Sequence, residues 1–350
     1  LLKNIYQGKE MIQDYCDQKK DVVIDEECKK VKVMKTAQVT LPKKIQIETT
    51  EIGAPGDHQV RVKIQGCGIC GSNIPVWEGR PWFQYPLENG SPGHEGWGVI
   101  ESIGMGVNDI FVGERVTFLS GHAFSEYENV NSSDIVKLPP QLDSIPFPGE
   151  PFGCAINVFE RCEIKKGDII AVIGVGFLGA VLISLAATAG AHVIAISRRP
   201  FALRIAKEAG AADVIPMNDH NNVISTIKKL TNKELCDCVI EAAGHQVTLD
   251  LASDIIKERG KMVIAGYHQD GVRIVNMQQW NWKGIDVINA HEREPEMYLN
   301  GIKKAIDMVC RGIIIPEKFF THKFPFASIQ EGFELMEKRT DGFLKALVLM

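Results

Sequence analysis

The 350-residue chain has no long hydrophobic run. Its longest uninterrupted stretch of apolar and glycine residues, Ile169 to Ile183, is 15 residues and is broken by three glycines. A bilayer asks for about 20 apolar residues, so no transmembrane helix is expected. Basic excess is lacking too: the formal net charge is −5 and the pI near 6.0. The chain therefore has no electrostatic footprint for DNA, RNA or an anionic membrane, and neither nucleic acid nor membrane is expected as a partner. Its nine cysteines are scattered rather than regularly paired, which excludes a disulfide scaffold and fits a reducing cytoplasm. Cys67 and Cys70 form a CxxC, either a redox pair or half of a structural zinc site, with no second CxxC at finger spacing. Cys236 and Cys238 alternate along an expected strand and read as core thiols.

What is present divides the chain into unlike parts. Residues 1–33 are charge-dense, begin with Leu and carry no apolar stretch of signal-peptide length, so they read as an N-terminal extension that does not open at a natural start. From Met34, short alternating segments separated by Pro and Gly turns predict strands at 34–41, 44–52, 58–69, 96–104, 112–119 and 135–140. After about residue 150 strands and helices alternate. Strands are expected at 169–173, 192–196, 213–215, 238–243 and 261–266, and helices at 178–189, 201–209, 223–230 and near 246–258. That alternation is the pattern of a parallel sheet wrapped by helices. A helix at 296–311 and a strand at 345–350 close the chain. The length favours two domains.

Two constellations carry chemistry. Cys70 in GCGICGSN (66–73) and the pair His94-Glu95 in PGHEGWG (92–98) lie 24 and 25 residues apart and read as half of a catalytic zinc site. Zinc takes sulfur, nitrogen and carboxylate oxygen in one tetrahedral shell and needs an open position for substrate. Glu150 in GEPFGC (149–154) is the candidate further ligand, with Cys154 one helical turn later as its rival. The second constellation is GVGFLG, which sets Gly174, Gly176 and Gly179 in GxGxxG spacing between a strand and a helix. In that context the glycines serve a tight turn, close approach of a pyrophosphate and helix packing. About twenty residues on, an NAD site would offer Asp or Glu to the ribose 2′-hydroxyl. This chain offers Ser197, Arg198 and Arg199, which leave room and charge for a 2′-phosphate and favour NADP(H) over NAD(H). The bland reading is two solvated arginines at a helix start.

GCGICGSN, PGHEGWG, VGERV, GHAFSEY, the EPF segment, GVGFLG and the terminal GFLKALVL resemble the zinc-dependent medium-chain dehydrogenase/reductase family, the alcohol and polyol dehydrogenases, over Met34 to Met350. The resemblance implies an α/β protein: a Rossmann doubly wound parallel sheet over 154–290, and a GroES-like partly open β-barrel catalytic domain from 34–153 and 291–350. It implies Cys70 and His94 as zinc ligands, Glu95 as the acidic neighbour that coordinates or exchanges with water, and Glu150, 17 residues before Gly167, at the third-ligand position. It implies Ser72 as the hydroxyl that starts a proton relay, although a GS pair is also an ordinary turn, and Lys345 on the cofactor side. Asn73 stands where the family usually has Asp, which would leave the zinc histidine a partner without charge. Pro75 replaces a relay histidine of many relatives, and residues 99–149 lack the cysteines of a structural-zinc lobe, so one zinc is expected.

Substrate contacts are sought in two places. WEGRPWFQYP (77–86) concentrates Trp77 and Arg80 with further aromatics, either a wall for a sugar or ordinary core. His291-Glu292-Arg293 sits where polyol dehydrogenases carry arginine-containing contacts, or is a solvated helix approach. The expectation is a cytoplasmic homo-oligomer, dimer or tetramer, moving hydride between NADP(H) and a secondary alcohol, a polyol or sugar derivative. A zinc-free double-bond reductase of the same superfamily and a non-catalytic nucleotide-binding protein are the alternatives.

Overall fold

Alternation of side chains builds the first strands. β1 (Lys32–Leu41) and β2 (Lys44–Ile52) form an antiparallel pair. β3 (Gln59–Ile69) buries Val60, Val62, Ile64, Cys67 and Ile69 and is the hub of the catalytic sheet. The computed structural model describes residues 31–268 and 270–350, so the expected N-terminal extension lies almost wholly outside the described residues. β3 pairs antiparallel with β4 (Gly96–Ile103), β6 (Tyr127–Asn131) and, from the far end of the chain, β15 (Ala346–Leu349). β5 (Arg115–Phe118), β7 (Ile135–Lys137) and β14 (His322–Pro325) complete a seven-stranded sheet in the order β14-β15-β3-β4-β5-β7, with β6 on β3.

The second sheet is all parallel. Its strands are β8 (Ile169–Ile173), β9 (His192–Ser197), β10 (Asp213–Pro216), β11 (Cys236–Glu241), β12 (Ile256–Ile264) and β13 (Asp286–Asn289), ordered β10-β9-β8-β11-β12-β13. This is the doubly wound order, which opens its ligand crevice where the order reverses, between the carboxyl ends of β8 and β11. Purely apolar strands such as IIAVI are what a sheet covered on both faces demands.

The helices, in chain order, are α1 (Asn73–Glu78), α2 (Gly149–Cys162), α3 (Phe177–Thr188), α4 (Pro200–Glu208), α5 (His220–Leu230), α6 (Gln246–Ile255), α7 (Met277–Lys283), α8 (Pro295–Cys310) and α9 (Ile329–Lys338). α2 runs through the boundary expected at 153/154. It packs on α8 so closely that a Cβ on Gly153 would meet Ile302 at 2.7 Å. The helix expected to about residue 258 stops at Ile255. Ile255 and Ile256 are both fully buried, and Ile256 already pairs with Cys236, so the chain enters the sheet early. Among the described residues no helix is long and apolar enough to cross a membrane.

Candidate active site

Three strand ends bring the chemistry together. β15, β3 and β4 are neighbours, with Ala346 opposite Ile69 and Cys67 opposite Gly96. Cys70 follows β3, Glu95 precedes β4 and Lys345 precedes β15, so all three stand at one end of the sheet. One ligand atom from each of Cys70, His94 and Glu95 falls within 4.8 Å of the others. Gly68 explains part of this closeness, because a Cβ there would lie 1.8 Å from Glu95 Oε2. Cys67, by contrast, is fully buried in the core, and burial pushes its thiol well up. Both CxxC readings therefore fall, since the two cysteines serve different environments.

The loop is fixed by Asn73. Its Oδ1 accepts from the Cys70 N–H at 2.9 Å and its Nδ2 donates to the Pro92 carbonyl at 3.1 Å. His94 Nδ1 meets the same carbonyl at 3.0 Å, which fixes the proton on Nδ1 and leaves Nε2 for a metal. Asn73 is thus not the acceptor for the histidine: its amide nitrogen, a donor, faces Nδ1 at 3.5 Å. The expectation of a chargeless acceptor is corrected to a loop clamp.

Glu95 is deeply set and Glu150 half-buried. Glu95 is 0% exposed and Lys345 3%. Lys345 Nζ lies 2.5 Å from both Oε1 and Oε2 of that carboxylate. Burial alone would lower the Lys345 pKa, but Glu95, Cys70 and Glu150 outweigh it and hold it above its ordinary value. Lys345 Nζ also stands 5.0 Å from the centroid of Phe177, the residue after Gly176, so the glycine fingerprint and the metal loop share one contact. Glu150, in the first turn of α2, does not join the 4.8 Å cluster. It lines with His94 a cavity of about 200 Å³ whose other walls include Arg293, Pro295 and Tyr298. Burial raises the Glu150 pKa and His94 opposes, leaving it pushed up to about 7. On His94 burial works against charge, yet the hydrogen bond with Cys70 and the charges of Cys70, Glu150 and Glu95 push its pKa up to about 10. Cys154 lies one turn along α2, its thiol pushed well up by burial and by Glu150.

The donor set fits zinc: a cysteine sulfur, an imidazole Nε2 freed by the bond of Nδ1 to the Pro92 carbonyl, and carboxylate oxygen. Ser72 occupies the N-cap position of α1 without capping it.

The fingerprint glycines divide their work as a dinucleotide site requires. Gly174 has φ +97°, and a Cβ there would strike Ala243 N after β11 at 2.8 Å. A Cβ on Gly179 would strike the Gly174 carbonyl at 2.1 Å, whereas Gly176 faces open space at the N-terminus of α3. That open space beside free helix N–H groups is a cradle for phosphate. Ser197 ends β9 and is buried, and Arg198 is exposed. Arg199 departs from expectation. Its guanidinium donates to the Phe343 carbonyl at 2.6 Å and the Val175 carbonyl at 3.1 Å, tying the fingerprint turn to the C-terminal segment. It is a structural tie, whereas the exposed Arg198 makes no side-chain hydrogen bond among the described residues.

Of the sought substrate contacts, Trp77 is corrected. It is 1% exposed, packs on Phe333 at 5.3 Å between ring centroids and donates Nε1–H to Glu337, so it is core. Arg80 pairs with Glu78 at 2.9 Å. His291 is exposed and Arg293 reaches the cavity. Tyr298 went unnoticed because nothing in PEMYLNG marks it locally; only the packing of α8 on α2 turns it to the cavity.

Comparison with known proteins agrees with this geometry. The family model for the alcohol dehydrogenase GroES-like domain matches residues 56–140, and that for zinc-binding dehydrogenase residues 178–308. The chain belongs to the zinc-dependent medium-chain dehydrogenase/reductase family. The L-threonine 3-dehydrogenase of Bacillus subtilis is 26% identical over 326 residues, 84% of this chain and 92% of that one. The L-galactonate-5-dehydrogenase of Escherichia coli is 25% identical over 328 residues, with the same two coverages. The crystal structure of a short chain alcohol dehydrogenase (rspB) from E. coli CFT073, complexed with cofactor NADH, superposes with a TM-score of 0.80. It is 26% identical, over 91% of this chain and 99% of that one. As a member of the family the chain is a zinc-type dehydrogenase that acts on CH–OH groups with a nicotinamide cofactor, which displaces the non-catalytic reading.

Proposed function

We propose that this medium-chain dehydrogenase oxidises the secondary alcohol of a polyol or sugar derivative, or reduces the matching ketone, with NADP(H), using one zinc held by Cys70, His94 and carboxylate from Glu95 and Glu150. The cavity beside His94 and Glu150 carries this reading: at about 200 Å³ it suits a molecule of a few carbons, and its walls mix apolar Leu119 and Pro295 with the polar groups of Arg293 and Tyr298. When bound, the metal lowers the pKa of a coordinated alcohol and the nicotinamide accepts the hydride.

The chain's own residues do the rest. Lys345 holds Glu95 in place and balances its charge. Asn73 and the Pro92 carbonyl keep Cys70 and His94 aimed. Ser72, with its hydroxyl uncommitted to capping, takes the proton that leaves the substrate and passes it onward. Buried Phe152 and half-buried Phe177, in edge contact at 5.1 Å, wall the junction from water. For the cofactor, Ser197 offers no carboxylate to repel a 2′-phosphate and Arg198 supplies the charge. A cytoplasmic location and a dimeric or tetrameric state complete the proposal and rest on the family likeness alone. Elemental analysis together with a panel of polyols and simple secondary alcohols, each run with NADP⁺ and NAD⁺, tests it. One zinc per chain and NADP⁺-dependent polyol oxidation are expected. Two zincs, or activity confined to simple aliphatic alcohols, would remove it.

A further inference from the structure

A proton released in the cavity needs a way to water, and on the Ser72 side Pro75 stands where a relay histidine would be. Ser120 lines the same cavity as His94 and Glu150. Its hydroxyl donates to Glu128 Oε1 at 2.5 Å and accepts from the backbone N–H of His122 at 2.9 Å. A serine hydroxyl has one proton and two lone pairs, so one lone pair remains for a substrate hydroxyl. Glu128, on β6, is largely shielded from water, its side chain 13% exposed, and its Oε2 accepts no hydrogen bond among the described residues. His122 Nδ1 stands 3.7 Å from Glu128 Oε1, and its Nε2 lies 2.8 Å from Glu88 Oε2. The Glu88 side chain is 84% exposed. The turn carrying His122 is held by Ser91, whose hydroxyl donates to the Gly121 carbonyl at 3.1 Å, and by Gly90, where a Cβ would strike the His122 carbonyl at 2.1 Å. Ser120, Glu128, His122 and Glu88 thus form one line from the cavity wall to solvent.

We propose that this line is the route by which the alcohol's proton leaves the active site, with Ser120 as its entry, Glu128 and His122 as its carriers and Glu88 as its exit. It rests on the dehydrogenase reading above and adds to Ser72 a path that reaches water. The substrate O–H bond breaks toward Ser120 Oγ as the serine O–H breaks toward Glu128, so the serine is renewed and Glu128 holds the proton. His122 carries both ring protons at neutral pH: its hydrogen bond with Glu128 raises its pKa, burial opposes, and Glu88 helps bring it to about 9. It gives the Nε2 proton to Glu88, which releases it to water. The half-exposed ring then turns over and takes the proton waiting on Glu128. Every member ends as it began, while the hydride goes to the nicotinamide. Two carboxylates around one imidazole also brace a turn, so the experiment has to separate bracing from transfer.

The test uses the zinc-loaded enzyme with the best alcohol of the panel above, in dilute buffer at neutral pH, for the parent, Ser120→Ala, Glu128→Gln, His122→Gln and Glu88→Gln. Zinc content and Tm are measured on the same samples. Glu128→Gln and His122→Gln should lower kcat by about 10- to 100-fold with KM near the parent value, and Glu88→Gln should lower it less. A hindered dimethylimidazole buffer at high concentration should restore most of kcat in His122→Gln and little in Ser120→Ala, because the buffer replaces a carrier and not the entry. If Glu128→Gln does not fold, His122→Gln and Glu88→Gln, toward the solvent end, decide the matter. Parent-like kcat in His122→Gln, or a loss that the buffer leaves unmoved and a fall in Tm accompanies, overturns the route and leaves the dehydrogenase standing. A parent that oxidises no alcohol of the panel removes the dehydrogenase reading and the route with it.

Discussion

Two regions of the molecule bury carboxylates to the same depth and treat them in opposite ways. Glu241, at the end of β11, is 0% exposed and accepts from the N–H groups of Ala243 and Gly244, both at 2.9 Å, from Thr248 Oγ1 at 2.7 Å and from His268 Nε2 at 2.8 Å. Burial alone would raise its pKa, but the bonds from His268, Thr248 and Gly244 win and hold it below the usual range. At the other site, Glu95 has a single side-chain partner among the described residues, Lys345, and Glu150 is pushed up to about 7. A buried carboxylate with a full set of donors is complete as architecture. One without them is costly until something binds, and that cost is the mark of a ligand site.

The sharpest way to break this comparison is to remove one group from each region. Cys70→Ser should lose the metal and reduce turnover by about 1000-fold or more, with the circular dichroism spectrum and cooperative unfolding retained, because a catalytic zinc is not what folds the chain. Unfolding of this variant would contradict the assignment. Glu241→Ala should do the reverse. It strands four donors and is expected to lower stability by about 3 kcal/mol while zinc content stays at the parent level. Denaturant titration with metal analysis on the same samples distinguishes the two.

A smaller effect sharpens the cofactor side. Ser197→Asp with Arg198→Ala should shift kcat/KM toward NAD(H) by roughly 10- to 100-fold, since the new carboxylate repels a 2′-phosphate and accepts from a 2′-hydroxyl. Arg199→Ala should instead weaken both cofactors alike, because Arg199 ties the turn rather than reading the ribose. A parent enzyme already preferring NAD(H) would refute the first of these.

The smallest effect is in pH. Glu150 has a folded pKa of about 7 against an ordinary 4.5, so its proton stabilises the metal-free fold fully below about pH 4.5, and that contribution is lost as pH rises through about 7. Glu241 runs the other way, its contribution present above the ordinary carboxylate pKa and lost on acidification. Zinc binding needs Glu150 ionised and His94, pushed up to about 10, stripped of its proton. The rise in Tm on adding zinc should therefore grow between about pH 5.5 and 8. A zinc-induced shift that is flat across that window would show that neither group titrates with the metal.

Much of this was legible because the physics is local. The run IIAVI marks β8 at its observed limits, the glycine spacing marks the turn after it, and Cys70 with His94-Glu95 marks a cluster that could hold a metal ion. What escaped depends on contacts distant in sequence. Nothing near Glu95 announces Lys345, and Trp77 looks the same in a substrate wall as in a core until Phe333 is brought to it. Arg199 looks like Arg198 until the Phe343 and Val175 carbonyls claim it. α9 was readable in principle, since Ile329, Gly332, Phe333 and Met336 fall at helical spacing and all four are buried.

Lys345 and Glu95 are 250 residues apart in the chain, and β15 reaches β3 only after the whole parallel sheet has been made. A ribosome releasing this protein therefore leaves the Gly66–Ile69 end of β3 unpaired on one edge throughout synthesis of the cofactor half, and loop closure on that scale is slow. The central α/β unit is local enough to fold first and in doing so draws the two outer segments together. The metal residues then acquire their lysine counter-charge last of all, so a nascent or C-terminally clipped chain holds the cysteine and histidine but not the finished pocket.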